Sequence, residues 1–168
     1  LKFSVEGEDW GLACNAIHFL DLVLWITDEK LISINTYQLA PKWHKSKREG
    51  YWEIYGTIEA FFAGGSKLTL KSSSGLNEYE VKIDSEDFSW TIQESSGTAK
   101  SSSGKVIEGR ISFQSEITGN LIELILKTGS CSLPCVDDSI TLHKELINAL
   151  LNDWNLKMLD KLDKLPIT

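Results

Sequence analysis

The chain has 168 residues, of which 42% are hydrophobic and 10% aromatic, so it is long and apolar enough to form one domain around a single buried core. We therefore treat residues 1–168 as one domain. The formal net charge of −7 argues against a nucleic-acid or membrane-surface partner, because both require a broad positive field on the protein.

The first predicted elements are a strand and a helix. Residues 1–5 have a strand-like pattern, and because the chain starts directly in this segment without a methionine, we expect it to be part of a longer protein. Residues 10–27 are apolar on nearly every side, which predicts a helix that other elements enclose. Asn15, His18 and Asp21 interrupt this stretch and are costly in a bilayer, so we do not expect a membrane span.

A run of strands is predicted next. Five segments are rich in β-branched and aromatic residues and are bounded by Gly, Ser, Asn or Asp. Turn residues at 64–65 and 73–75 separate consecutive segments at the spacing of hairpins, so we expect an antiparallel meander with one face packed on helices. The five segments are residues 30–39, 51–62, 67–71, 78–83 and 88–93.

A loop and a helix are predicted to follow the strands. The stretch 94–104 is polar and rich in Ser and Gly, which predicts a flexible loop. Ser115 can cap a helix that ends near Lys127, and Gly129 supplies a left-handed stop beyond that end.

A further helix is predicted to start at residues 137–139, where two aspartates and a serine suit the positive end of a helix dipole. The tail 156–165 keeps a helical leucine spacing, which Pro166 ends. Together these elements predict an α+β domain with an open, mostly antiparallel β-sheet and helices packed on one face. The residues expected on the core face of the last helix are Ile140, Ile147, Leu150, Leu151 and Trp154.

The polar residues of the first helix are the most specific chemical signal. Cys14, Asn15, His18 and Asp21 share one stripe of an otherwise apolar helix. Asp21 lies one turn after His18 and can hold the imidazole in one tautomer, and a histidine held in this way moves protons at neutral pH. The alternative is a core histidine that bonds Asp21 and has no catalytic role, and the spacing alone leaves both open.

A second candidate site is the segment 41–52, which concentrates basic and aromatic residues in an acidic chain. Its cations suit a carboxylate or phosphate group, and an aromatic side chain beside them can pack on a sugar ring. The alternative is a solvated hairpin loop, because such loops are usually charged. The candidate substrate-binding residues are Trp43, His44, Lys45, Lys47 and Arg48.

Recognised cofactor and metal patterns are missing from the sequence. Neither a G-x-G-x-x-G nor a P-loop occurs, so we expect this chain alone to bind no nucleotide cofactor. Cys131 and Cys135 lack the further cysteines or histidines of a zinc site, so we expect no metal. Three cysteines cannot pair completely, and no export signal is present, so we expect a cytoplasmic protein. His143 on the last helix is expected to be a core residue.

The run Trp10-Gly-Leu-Ala-Cys-Asn-Ala-Ile-His-Phe-Leu-Asp-Leu22, followed by a strand at 31–39, resembles the opening of the C-terminal domain of the glucose-fructose oxidoreductase/inositol dehydrogenase/MocA family. The order of a helix, strands and later helices is similar to that domain along almost the whole chain. In that family a dinucleotide-binding N-terminal half precedes an α+β half, whose open sheet supports the substrate pocket and commonly makes subunit contacts. Segments 44–48 and 130–143 resemble members found with surface-polysaccharide and acidic-sugar biosynthesis.

The resemblance implies roles for individual residues. His18 corresponds to the family's active-site histidine, which assists proton transfer at the substrate hydroxyl as hydride moves to or from the nicotinamide. Family members often have an aspartate one turn earlier, where this chain has Cys14. Either Asn15 therefore substitutes as a hydrogen-bonding partner or the proton relay differs. The family's catalytic lysine belongs to the other half.

We therefore expect the intact protein to be an NAD- or NADP-dependent oxidoreductase that acts on a hydroxyl or keto group of a sugar or sugar-nucleotide derivative. This chain is then its substrate-binding half, which packs on its own N-terminal domain, forms a homo-oligomer through the sheet and binds no cofactor alone. His18, Asn15 and Asp21 are its predicted catalytic residues. The alternative is a non-catalytic sugar-binding or assembly module with the open sheet as an interface.

Overall fold

A computed structural model describes residues 1–131 and 133–167, and the side chain of Asp138 lies outside the described part of the chain, as does its predicted contribution to a helix start. Strands and helices alternate only at the beginning. The elements are β1 (Lys2–Glu8), α1 (Leu12–Thr27), β2 (Leu31–Leu39), β3 (His44–Lys45), β4 (Trp52–Glu53), β5 (Gly56–Phe62), β6 (Lys67–Ser73), β7 (Glu80–Asp84), β8 (Ser89–Gln93), β9 (Thr98–Ser101), β10 (Val106–Glu108), α2 (Gln114–Thr128) and α3 (Val136–Lys157).

Eight of the strands form one open sheet in the order β10-β9-β8-β7-β1-β6-β5-β2, and β3 pairs with β4 separately. The prediction of a simple meander is wrong at the centre of the sheet, where β1 inserts between β6 and β7. Val5 pairs with Leu70 of β6 in a parallel ladder and with Val81 of β7 in an antiparallel one. All other neighbours in this sheet are antiparallel, which confirms a mostly antiparallel sheet.

One face of the sheet packs on helices and the other carries charge. Side chains alternate along a strand, so the apolar residues of each central strand point to the same face. Helices α1 and α3 pack on that face and on each other. The opposite face carries exposed ion pairs such as Glu6–Lys71 and Glu80–Lys82. The inner face includes Phe3, Val5, Ile58, Ala60, Leu68, Leu70 and Val81, all buried. The α+β prediction with helices on one face is confirmed.

Helix α1 is enclosed along most of its length but not all round. Leu12 and Leu20 are fully buried, because their stripe faces the sheet and α3. His18 is exposed, however, and Trp25 in the last turns is 73% exposed. The prediction of an apolar helix that other elements cover on every side is therefore wrong for the face that carries His18.

The core face of α3 is rotated from the predicted one. The helix buries Leu142, Leu146 and Leu150 in a continuous stripe at four-residue spacing, whereas Ile140 and Ile147 are 43% and 39% exposed. The predicted set mixed two faces because isoleucine and leucine look alike to a hydrophobicity pattern. Trp154, four residues beyond Leu150, continues the buried stripe as predicted.

Two segments near the ends of the sheet and the chain also differ from prediction. The stretch 94–104 contains β9, which pairs with β8 across a turn at Gly97, rather than a flexible loop. The tail after Lys157 is irregular, and Leu162 and Leu165 pack on the core without a helix, whereas Leu159 is exposed. Asn155 fixes this tail, because its amide bonds the backbone N–H and C=O of Leu162. None of the described helices is both long and apolar enough to cross a membrane.

Candidate functional site

An open cleft of about 400 Å³ lies between the start of α1 and the β3–β4 strand pair. The end of β1 contributes Asp9, and the first turns of α1 contribute Cys14 and Asn15. The strand pair and its connecting turn contribute residues 44–48 and Glu53, and Ile54 and Tyr55 after β4 also line the cleft. The cleft therefore brings together two stretches that the sequence marks separately as candidate sites.

The turn between β3 and β4 presents three cations to the cleft. Backbone bonds between Ser46 and Tyr51 and between Tyr51 and Arg48 hold this turn, and both ladder pairs of the strands lie beside it. Lys45, Lys47 and Arg48 are exposed. Within residues 1–131 and 133–167, no carboxylate lies at ion-pair distance from any of the three. These cations are therefore available to an anionic ligand.

A polar chain runs along the floor of the cleft. The Tyr55 hydroxyl donates a hydrogen bond to Asp9, and the other Asp9 oxygen accepts from the Gly75 N–H at 3.2 Å. The bond from Tyr55 holds the pKa of Asp9 below its usual value, and donation to Asp9 raises the pKa of Tyr55. The His44 ring stacks on Tyr55 with 4.2 Å between centroids. Asp9 thus stays ionised and Tyr55 stays neutral at physiological pH.

Glu53 is the residue that the sequence did not predict. Gly11 is the N-cap of helix α1, with a φ of 77°. Because glycine has no side chain, the first N–H groups of the helix have no local cap. The Glu53 carboxylate accepts from Ala13 N–H at 2.9 Å and from Cys14 N–H at 3.1 Å. Burial raises the pKa of Glu53, and its backbone hydrogen bonds oppose that shift only in part. A helix start without a capping side chain is the only signal in the sequence, and it cannot say where the acceptor comes from.

The structure places four of the five predicted substrate-binding residues in the cleft and the fifth in the core. His44, Lys45, Lys47 and Arg48 all line the cleft. Trp43 does not, because it is 4% exposed and belongs to the hydrophobic core. Its indole N–H donates to Asp153 at 3.1 Å, and its ring packs on Trp154 with centroids 5.2 Å apart. Buried in this way, Trp43 has no surface left for a sugar ring.

The predicted catalytic residues of α1 separate along the helix. Asn15 lines the cleft and donates from its amide to the Trp10 carbonyl at 2.5 Å. His18 is exposed one turn beyond Cys14, on the same side of the helix, and it is not among the residues that line the cleft. No hydrogen bond joins its ring to any residue of the described ranges.

Asp21 has a different partner from the one predicted. It accepts from the Ser139 hydroxyl, with 3.3 Å and 3.4 Å to its two oxygens, instead of bonding the His18 ring. The reason is that the first turn of α3 packs on this side of α1. His143, expected in the core, is exposed, and its ring bonds the Ser139 carbonyl at 2.9 Å. Asp21 therefore belongs to the contact between the two helices, whereas His143 bonds within α3.

The start of α1 is already bonded within the chain. A β-strand followed by a helix is the usual setting for a cofactor phosphate, which binds the first N–H groups of the helix. In α1 the Glu53 carboxylate already occupies those groups and would repel a phosphate. Elsewhere in the part of the chain that the structure describes, no three side chains of His, Cys, Asp or Glu are grouped as metal ligands.

Comparison with known proteins gives a structural neighbour but no sequence family. No family model matches the chain, and neither does any curated protein. Among solved structures the chain is similar to UDP-N-acetylglucosamine 3-dehydrogenase GnnA from Acidithiobacillus ferrooxidans, with a TM-score of 0.59 and 12% sequence identity. The similarity covers 89% of this chain and 50% of that one, so the chain spans about half the length of its neighbour. At this identity the similarity shows the fold alone.

Proposed function

We propose that this chain is the substrate-binding half of an NAD- or NADP-dependent oxidoreductase that acts on a hydroxyl or keto group of a sugar or sugar-nucleotide derivative. The observation that carries the proposal is the cleft, where the exposed cations at 45–48 and the polar first turns of α1 border one space. Two further findings support it. Residues 10–22 resemble the glucose-fructose oxidoreductase/inositol dehydrogenase/MocA family, and the fold is shared with a UDP-N-acetylglucosamine 3-dehydrogenase.

In the proposed complex, the anionic part of the substrate lies against Lys45, Lys47 and Arg48. The arginine offers a planar fork of donors that matches a phosphate or carboxylate, and the lysines act as mobile point charges. His44 contacts the ligand beside them, since its ring lines the cleft and is backed by Tyr55. The sugar then extends toward the first turns of α1.

The reacting end of the sugar lies beside α1. His18 assists proton transfer at the substrate hydroxyl, and its support is that it is exposed one helical turn beyond Cys14, which lines the cleft. Asn15 supplies a polar contact next to it. Asp21 contributes by holding α3 against α1 through Ser139. Hydride transfer belongs to a nicotinamide cofactor, which a separate N-terminal domain of the intact protein binds.

The proposal is tested by assaying the full-length protein with UDP-N-acetylglucosamine and NAD or NADP, following the nicotinamide absorbance. His18→Ala is expected to lower kcat by about 10²–10⁴, the usual contribution of general acid–base catalysis. His143→Ala is the matched control, because it removes another exposed histidine, from α3, and it should leave kcat within about twofold. A loss of less than about tenfold for His18→Ala removes this residue from the mechanism.

The second candidate function is a non-catalytic sugar-binding or assembly module. It is favoured by apolar side chains at the free edge of the sheet, where Ile32 and Tyr37 of β2 are 65% and 92% exposed. Large exposed apolar groups on one rim suit a subunit interface. Sedimentation of the full-length protein discriminates the two functions when combined with the assay. The module is favoured if the protein is an oligomer that the double variant Ile32→Ser, Tyr37→Ser dissociates. The same protein must then neither bind NAD or NADP nor turn over a sugar nucleotide.

A further inference from the structure

Glu53 connects the two sides of the cleft. Its carboxylate bonds the N–H groups of Ala13 and Cys14 at the start of α1, about forty positions earlier in the chain. Its backbone lies in β4, directly opposite His44 of β3. The helix side of the cleft and the cationic side therefore meet at this one side chain.

Apolar contacts and Glu53 together fix the cationic side. Trp43 before β3 and Ile54 after β4 are buried, and Trp52 packs on Trp154 with ring centroids 5.3 Å apart. The β3–β4 ladder has only two residue pairs, His44 with Glu53 and Lys45 with Trp52. The Trp52 N–H is bonded to the carbonyl of Pro166 in the irregular tail, and the turn itself is exposed at 47–51. A two-stranded ladder of this length is not stable by itself. Its position relative to α1 must come from tertiary contacts, of which the Glu53 bonds are the charged ones.

We infer that Glu53 is a positioning residue: in its ionised form it holds the cationic turn 44–48 at the distance from α1 that lets one substrate span both. The inference rests on the proposed function and adds how the affinity of that site is regulated. A carboxylate accepts on both oxygens, whereas a protonated carboxyl accepts well on only one. Protonation therefore releases one of the two helix N–H groups and weakens the link between α1 and β4.

Acidification then acts on the site at a higher pH than an ordinary glutamate allows, because burial raises the pKa of Glu53. The other titratable groups around it are His44 and Lys45 on β3, Cys14 on α1, Tyr55 beside Ile54, and Asp9 behind Tyr55. These groups surround the same anion site, so only a difference between variants isolates Glu53.

The experiment compares three variants of the full-length protein. Glu53→Gln keeps the size of the side chain and loses one acceptor, and Glu53→Ala loses both. Glu29→Ala is the matched control, since the Glu29 carboxylate also accepts from two backbone N–H groups, those of Gly64 and Ser66, and lies away from the cleft. Calorimetry measures the Kd of UDP-N-acetylglucosamine from pH 5 to pH 8, and hydrogen exchange measures amide protection across 44–53.

At pH 8 the inference predicts a Kd raised at least tenfold in Glu53→Ala, by less in Glu53→Gln, and unchanged within twofold in Glu29→Ala. Amides at 44–53 should exchange at least tenfold faster in both Glu53 variants. Glu29→Ala should speed exchange only at 64–66. The ratio of the Glu53→Gln Kd to the wild-type Kd should shrink toward one on acidification, because the wild-type carboxyl then loses the same acceptor.

Two results overturn the inference. One is a Kd for Glu53→Ala within twofold of the wild-type Kd, in a variant whose free energy of unfolding is as low as that of Glu29→Ala. Glu53 would then be a helix cap and nothing more. The other is unchanged protection of 44–53 in Glu53→Gln. A wild-type protein that binds no sugar nucleotide contradicts the proposed function instead, and the exchange measurement then decides on Glu53 alone.

Discussion

Replacing Trp43 by phenylalanine tests whether this side chain belongs to the core or to the ligand site. The substitution removes a hydrogen bond to the buried carboxylate of Asp153, worth about 1.5–3 kcal/mol for a charged acceptor. The smaller ring also loses part of its packing on Trp154, which adds about 1 kcal/mol. Asp153 keeps its ion pair with Lys157, so no unpaired charge is left behind. The free energy of unfolding should fall by about 2–4 kcal/mol.

Urea denaturation followed by circular dichroism measures this change, and titration with a sugar nucleotide shows whether binding survives. Trp25→Phe is the control, because Trp25 is 73% exposed and its replacement should change the unfolding free energy by less than about 0.5 kcal/mol. The affinity of the Trp43→Phe protein should remain that of the wild type. A stability loss below about 1 kcal/mol together with weaker sugar binding would refute the placement of Trp43 in the core.

Three further predictions follow from the same structure. Leu150→Ala should lower the unfolding free energy by about 2–5 kcal/mol and Ile147→Ala by less than about 1 kcal/mol, because only Leu150 is fully buried, and urea titration checks both. Gly11→Ala should cost about 1–2 kcal/mol in the same titration, since φ is 77° there. The lowered pKa of Asp9 means that the folded state binds fewer protons than the unfolded chain in acid, so stability is lost as the pH falls through the folded-state pKa. Unfolding of Asp9→Asn, measured from pH 6 to pH 2, should therefore depend less steeply on pH.

The sequence predicts local elements of this fold well and its long-range pairing poorly. Segments rich in β-branched and aromatic residues, such as 88–93, became strands with nearly the predicted bounds, and Gly129 ended α2 with a φ of 75° as its position indicates. The insertion of β1 between β6 and β7 could not be predicted, because it joins residues more than sixty positions apart. Turn residues at 73–75 look the same whether or not a third strand enters between the two that they separate.

The residues of the candidate site likewise include some that the sequence predicts and some that it does not. The cations at 45–48 and Asn15 were predicted from residue type and helix spacing, and they line the cleft. Trp43 was assigned to that site by proximity in sequence, but its side chain packs in the core against Trp154. Glu53 was missed because a helix cap supplied from a distant strand leaves no local pattern.

Titration of UDP-N-acetylglucosamine into the full-length protein and into a triple variant with Lys45→Ala, Lys47→Ala and Arg48→Ala decides whether the cleft binds the substrate. If the cleft is the substrate site, the triple variant should bind at least about tenfold more weakly, because three unpaired cations are lost. The wild-type affinity should also fall with rising salt while that of the variant stays nearly flat. Equal affinities of the two proteins at low salt would contradict the account.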